Sequence, residues 1–188
     1  MSHQRKTFLT PEEYLAAERA SETKSEYFAG EVFAMVGASR RHNLIAANLI
    51  RALGNQLVER PCNVYPSDMR VKVSATGKYT YPDVVVARAE EMFDDEEKDT
   101  LLNLVVIFEV LSETTEAYDR GKKFEQYQYI ESLAEYLLVA QEPYRVEQYA
   151  RQSNGEWRYS EYHDADDVVR IGVIGCELRL KDVYAKVV

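Results

Sequence analysis

The sequence predicts an α/β (α+β) fold: a mixed β-sheet core flanked by helices, followed by an additional C-terminal β segment. Three observations carry this. Residues 81–87 and 104–111 are short runs rich in β-branched side chains and read as strands. Leu44, Ile45, Leu49, Leu53 and Leu57 form a stripe at helical spacing within residues 39–59. Beyond residue 141, alternating segments flank Asn154-Gly155, a strong hairpin turn.

The elements follow in order. Thr10 precedes Pro11, Glu12 and Glu13, a capping hydroxyl with proline in the first turn, so a helix should run to about Ala20. Residues 25–36 read as a hairpin turning at Ala29-Gly30. After the helix at 39–59, residues 63–73 read as a strand interrupted by Pro66, which suits an edge or a bulge. Gly77 then turns the chain into the strand of Asp83. Residues 118–130 read as a helix with Asp119 as its N-cap, and 135–140 as a further strand. Segments 144–151, 157–162, 168–173 and 177–180 supply the C-terminal strands.

With 188 residues the chain suits one domain: an N-terminal helix and hairpin at 1–38, a core at 39–140 and a β-rich extension at 141–188. Hydrophobic residues at 46% and charged ones at 29% suit a folded soluble protein rather than a disordered one. The formal charge of −9 argues against general affinity for nucleic acid, since phosphate neutralisation needs clustered Lys and Arg. Local basic groups remain: Arg40, Arg41 and His42, Arg70 and Lys72, and Arg120, Lys122 and Lys123. Glu90, Glu91 and the acids of 94–99 read as a solvated connection. Cys62 and Cys176 provide neither a zinc quartet nor a disulfide framework and are expected in the core. No apolar run reaches the roughly 20 residues that span a bilayer, and the N-terminus lacks a signal-peptide core, so the expected location is cytoplasmic, away from membranes.

The chemistry concentrates between residues 79 and 130. Asp83 and Glu109 interrupt apolar strands, where a carboxylate is costly unless paired or held against a metal ion. Alternation puts Glu109 on the face of Val105 and Ile107, and Asp83 on that of Tyr81 and Val85. If the strands are neighbours, the acids converge. At about 100° per residue, Phe124, Tyr127 and Ile130 define an inward arc that contains Lys123, while Lys122 points away. Two carboxylates facing an ammonium group suit binding of a divalent cation, Mg²⁺ or Mn²⁺, and a phosphate; a buried structural ion pair is the competing account.

These residues resemble the PD-(D/E)XK nuclease superfamily, which has the restriction endonuclease-like fold. More closely, EYFAGEVFAM, SRRHNLIAANL, DMRV, YPDVVV, FEVLSETTEAYDRGKKFEQY and EYLLV resemble the "putative restriction endonuclease domain" family over nearly the whole chain. The resemblance implies a divalent-metal-dependent nuclease acting on DNA, with Asp83, Glu109 and the backbone carbonyl of Val110 as metal ligands. It also places His42 near the phosphate or the attacking water, while a histidine that caps or packs the helix start is the competing account. The superfamily's lysine two residues after the second acid is Leu111 here, and the family's helix supplies it instead, as Lys123. Glu26 or Glu31 could add an early acidic ligand, and Asp68 could support the site or simply form a turn. A homodimer would let two sites address two strands. The alternative is a catalytically silent module that binds nucleic acid or a protein partner. Tyr144, Tyr149, Trp157, Tyr159 and Tyr162 are expected to fill a sheet face or dimer contact rather than stack on bases.

Overall fold

The computed structural model describes residues 8–142 and 144–187. Residues 1–7, part of the segment read for an export signal, lie outside the described residues. No described helix is long and apolar enough to cross a membrane.

Thr10 caps α1 (Pro11–Arg19) through a reciprocal capping box with Glu13. A two-residue turn follows between β1 (Ser25–Phe28) and β2 (Glu31–Ala34), with Ala29 at φ 50° and Gly30 at φ 87°. Positive φ at both positions gives the turn the handedness of the strand twist. Next comes α2 (Arg40–Leu57), capped by Ser39.

The expected strand at 63–73 is two strands in different sheets. Pro66 ends β3 (Cys62–Pro66), the edge strand of a six-stranded sheet, and a turn holding Asp68 leads to β4 (Arg70–Val73) in a five-stranded one. The missing proline N–H is tolerated at that edge. Two short strands were not anticipated, β5 (Lys78–Thr80) and β7 (Thr100–Leu101). Between them lies β6 (Val84–Arg88), so Asp83 stands just before the strand rather than inside it.

The remaining elements are β8 (Leu104–Val110), a helical stretch, β9 (Glu135–Val139), β10 (Val146–Arg151), β11 (Trp157–Tyr162), β12 (Val168–Ile171), β13 (Cys176–Arg179) and α5. That stretch starts at Glu116, before the expected Asp119. It has three pieces: α3 (Glu116–Tyr118), a π-helical turn (Asp119–Lys123) and α4 (Phe124–Tyr127). The last element, α5 (Leu180–Val183), replaces the end of the final expected strand.

The six-stranded sheet has the order β11-β10-β9-β8-β6-β3 and is antiparallel except between β8 and β9. Parallel pairing requires a crossover, which the helical stretch supplies. β10 and β11 of the C-terminal β segment widen the central sheet, and β12 and β13 pair in a two-stranded sheet. The five-stranded sheet has the order β2-β1-β5-β4-β7.

One face of the large sheet packs on α2 through Ile45, Leu49 and Leu53, all sealed from solvent, together with Val84, Val86, Phe108 and Leu137. Burying each such side chain stabilises by about 1.5–3 kcal/mol. The other face packs Val85, Ile107 and Leu138 against Phe124, Tyr127 and Ile130, and takes in Val71 and Val73 of the smaller sheet. A register shift between Val86 and Ala87 sends Val105 to the α2 face, so Glu109 shares its face with Ile107 but not with Val105. Cys176 is buried and Cys62 partly so, both as free thiols.

Candidate functional site

The β6–β8 ladder pairs Val84 with Phe108 and Val85 with Ile107. One step further, the antiparallel register sets Asp83 beside Glu109 at the C-terminal end of β8, where the crossover begins. Sheet sites tend to open at such ends. Asp83 Oδ2 accepts a hydrogen bond of 2.7 Å from the Val110 N–H and lies 3.0 Å from His42 Nε2. Asp83 and His42 keep 14% and 16% of their side chains exposed, so solvent reaches them.

Glu109 sits deeper. Its Oε1 is 2.8 Å from Lys123 Nζ and accepts a 2.8 Å hydrogen bond from the Tyr127 hydroxyl. Burial pushes the Glu109 carboxyl up to about 8; Lys123 pulls the other way, while Asp83 and Asp119 add to the rise. Burial alone would push the Lys123 amine down, but Glu109, Glu26 and Asp119 hold it well above its usual value. In this pair the proton therefore stays on the lysine.

Lys123 faces inward as the helical arc requires, and Lys122 is exposed. The segment is a π-turn rather than regular α-helix, a device that often marks functional positions. Within the turn, Asp119 Oδ1 lies 3.5 Å from Lys123 Nζ, so this residue is a buried partner of the lysine and not the expected helix cap. Burial raises its carboxyl pKa against the pull of Lys123.

The smaller sheet completes the cluster. Glu26 Oε1 stands 3.8 Å from Lys123 Nζ and accepts from the Thr80 hydroxyl, and Oε2 stands 3.5 Å from Lys78 Nζ. Burial raises the Glu26 carboxyl, but Lys123 and Lys78 together outweigh it and hold the pKa below the usual value. Lys78 is 2% exposed and also donates a 2.5 Å hydrogen bond to Tyr118.

Asp83, Glu109, Lys123 and His42 are thus brought together, and Glu26 joins them. Asp68 does not, since it pairs with Lys24 at 2.9 Å with 84% of its side chain exposed. Glu31 faces Phe28 on β2. Arg70 and Lys72 form no groove: Arg70 is buried against Asp99, Thr100 and Tyr81, and Lys72 holds Asp94 at 2.6 Å. The acids of 94–99 are therefore structural partners in part, not only a solvated connection. Sequence reading missed Lys78, Thr80, Asp119 and Tyr127 as members of the cluster. Alternation of Lys78 with Thr80 was the available signal, but three residues are too few to read as a strand.

Could these groups hold a divalent cation? Among the described residues no three or more His, Cys, Asp or Glu side chains form a ready cage. Mg²⁺ needs none, because it keeps several waters and takes one or two carboxylates. The carboxylates of Asp83 and Glu109 lie side by side at the sheet end, Asp83 held through Oδ2 and Glu109 through Oε1. Such hard oxygen donors fit the ion.

Comparison with known proteins agrees with the architecture. A family model named Uma2 and described as "Putative restriction endonuclease" matches residues 11–181. Two proteins of Synechocystis sp. (strain ATCC 27184 / PCC 6803 / Kazusa) are similar. The uncharacterized protein sll1609 is 38% identical over 153 residues, spanning 81% of this chain and 86% of its own length. The uncharacterized protein slr1290 is 34% identical over 176 residues, spanning 94% and 91%. A crystal structure from Anabaena variabilis ATCC 29413, described as a "putative nuclease", aligns with a TM-score of 0.78 at 17% identity, over 96% of this chain and 99% of that one. At that identity the likeness is one of fold. With the family model running from the start of α1 into α5, and with the fold shared, the chain belongs to the Uma2 family and has a restriction endonuclease-like mixed α+β fold.

Proposed function

We propose that the protein is a divalent-metal-dependent endonuclease that hydrolyses phosphodiester bonds in DNA. The observation that carries this reading is the charge balance of the cluster. Four carboxylates, Glu26, Asp83, Glu109 and Asp119, gather around two ammonium groups, Lys78 and Lys123. Carboxyl groups outnumber amines four to two in this largely buried place, and burial raises those of Glu109 and Asp119, an excess that a divalent cation such as Mg²⁺ or Mn²⁺ would relieve.

Asp83, Glu109 and the Val110 carbonyl would hold the ion, which when bound polarises a phosphoryl oxygen and lowers the pKa of water. The protein's own groups do the rest. The Val110 N–H and His42 fix the orientation of Asp83, and the Tyr127 hydroxyl fixes Glu109. Lys123, held by Glu26 and Asp119, orients the attacking water or takes up charge developing on the phosphoryl oxygens. A homodimer would present two such sites to the two strands of a duplex.

A silent nucleic-acid- or protein-binding module is the second reading, favoured by one observation. Lys123 is already engaged by Glu109 at 2.8 Å, and the position two after Glu109 is the buried Leu111. The discriminating experiment incubates purified protein with Mg²⁺ or Mn²⁺ on plasmid, single-stranded and branched DNA beside Asp83→Asn and Glu109→Gln. Cleavage by the parent and not by the variants supports the nuclease. Equal cleavage by all three removes both acids from the mechanism, and absence of metal binding by calorimetry favours the silent module.

A further inference from the structure

The smaller sheet leads from the charged cluster out to solvent along two cross-strand rows. In the first, Phe33 on β2 pairs with Glu26 on β1, and the register continues through Thr80 on β5 to Val71 on β4. In the second, Glu31 pairs with Phe28, continuing through Lys78 to Val73. Residues directly opposite each other share a face with Cβ atoms about 4.5–5.5 Å apart. Each row is sealed at its inner end, where Val71 and Val73 are fully buried, and passes through the acid or the lysine in the middle. In the outer hairpin the aromatic rings reach water, with Phe33 on the edge strand 49% exposed and Phe28 one strand further in 36%.

A third ring flanks the same place. Tyr118 is 40% exposed, and its ring centroid lies 5.0 Å from Lys78 Nζ. Three large rings therefore rim the carboxylate of Glu26, although elsewhere the chain packs its aromatics together, as in the Tyr14–Tyr27–Tyr79 and Phe124–Tyr136–Tyr149 clusters. The rows also carry charge between the rings, with Glu26 on the first and Lys78 on the second, 3.5 Å apart. An exposed ring beside these paired charges offers the face of a nucleobase a stacking surface.

We infer that Phe33, with Phe28 and Tyr118, forms a stacking platform for an unpaired base beside the scissile phosphate, so that the substrate is single-stranded or locally opened nucleic acid. This rests on the nuclease reading and adds the substrate class to it. Stacked bases in an intact duplex offer no free face, whereas an unpaired base stacks on an aromatic ring whatever its identity.

The test titrates protein into a single-stranded DNA oligonucleotide carrying 2-aminopurine, with Ca²⁺ in place of Mg²⁺, and follows fluorescence quenching and size-exclusion elution. The parent quenches the probe. Phe33→Ala shifts the midpoint roughly tenfold to higher protein concentration with an unchanged melting temperature, and Phe33→Trp restores it. Parent-like binding by Phe33→Ala overturns the platform, as does a parent dimer that becomes monomeric in Phe33→Ala without weaker binding, since the rings would then cover a second copy. Cleavage of plasmid by the parent alongside parent-like binding by Phe33→Ala sinks the platform alone. Quenching that needs Phe33 in a protein that cleaves nothing sinks the nuclease reading alone.

Discussion

The ammonium of Lys123 meets the carboxylate of Glu26 at 3.8 Å, although one comes from a crossover helix on the large sheet and the other from the outer hairpin of the small one. Both sheets therefore converge on a single charge cluster. Its order depends on this amine more than on any other group, because Glu109 and Asp119 also lean on it.

Lys123→Met should expose that dependence. Without the amine, three acids face one another with burial already raising Glu109 and Asp119, and removing one partner from a buried ion pair costs about 3–5 kcal/mol. A divalent cation would supply the missing charge. The expected outcome is a large fall in melting temperature in EDTA that millimolar Mg²⁺ partly restores, with a smaller Mg²⁺ response in the parent. Equal responses in both proteins would separate the lysine from the metal.

Glu109→Gln keeps the shape and can still accept from Tyr127, but it removes a charged ligand. DNA cleavage should drop on the order of 10²–10³-fold, as when one electrostatic stabiliser is deleted from a preorganised site. Circular dichroism should show the parent's fold. Cleavage within a factor of two of the parent would refute the role.

Lys78→Met makes the cluster more negative by one charge while its side chain fills the volume of the lysine stem. Cations should then bind more tightly, so the Mg²⁺ midpoint for cleavage or for thermal stabilisation is expected at severalfold lower concentration. An unchanged or higher midpoint would show that Lys78 neutralises Glu26 for structural reasons alone.

Why were some of these groups legible and others not? Asp83 and Glu109 stand out because charge inside a β-branched run contradicts its surroundings, and a local contradiction is visible in one dimension. Lys123 emerged from the helical arc, and the π-turn left it facing inward. Glu26 and Lys78 carry no such mark. Their meeting follows from the pairing of Tyr27 with Tyr79 and from the docking of the small sheet, which no local pattern encodes. The acids at 94–99 misled for a related reason: a charge run looks solvated until Arg19, Arg70 and Lys72 arrive from distant elements. The same blindness split residues 63–73, where Pro66 marked an edge correctly but could not reveal that the chain leaves for another sheet.

Glu147→Ala tests how firmly the crossover helix is held. Glu147 is 4% exposed on β10 and takes the Arg120 guanidinium at 2.6 Å, while Arg145 approaches at 3.6 Å. Since Arg120 lies in the same π-turn as Lys123, the pair anchors the turn to the sheet. Urea denaturation should show a loss of about 3 kcal/mol, and cleavage should fall with it although Glu147 touches no reacting group. Unchanged stability would mean that Glu116 alone suffices for Arg120.

Acid stability should depend on Asp99. The guanidinium of Arg19, with Thr100 and Arg70, holds its carboxyl far below the ordinary value of 3.8, against the opposing effect of burial. A depressed carboxylate stabilises the folded state above its unfolded pKa, and that contribution is lost as pH falls through the folded value. The window therefore opens near pH 4 and extends downward. Because 36% of the Asp99 side chain is exposed, solvent screening limits the effect to about 1 kcal/mol. In urea titrations, Asp99→Asn should be less stable than the parent at pH 7, and the gap should narrow steadily below pH 4 as the parent carboxylate takes up its proton. A gap that stays constant down to pH 2 would assign the loss to packing around Arg70 instead of to charge.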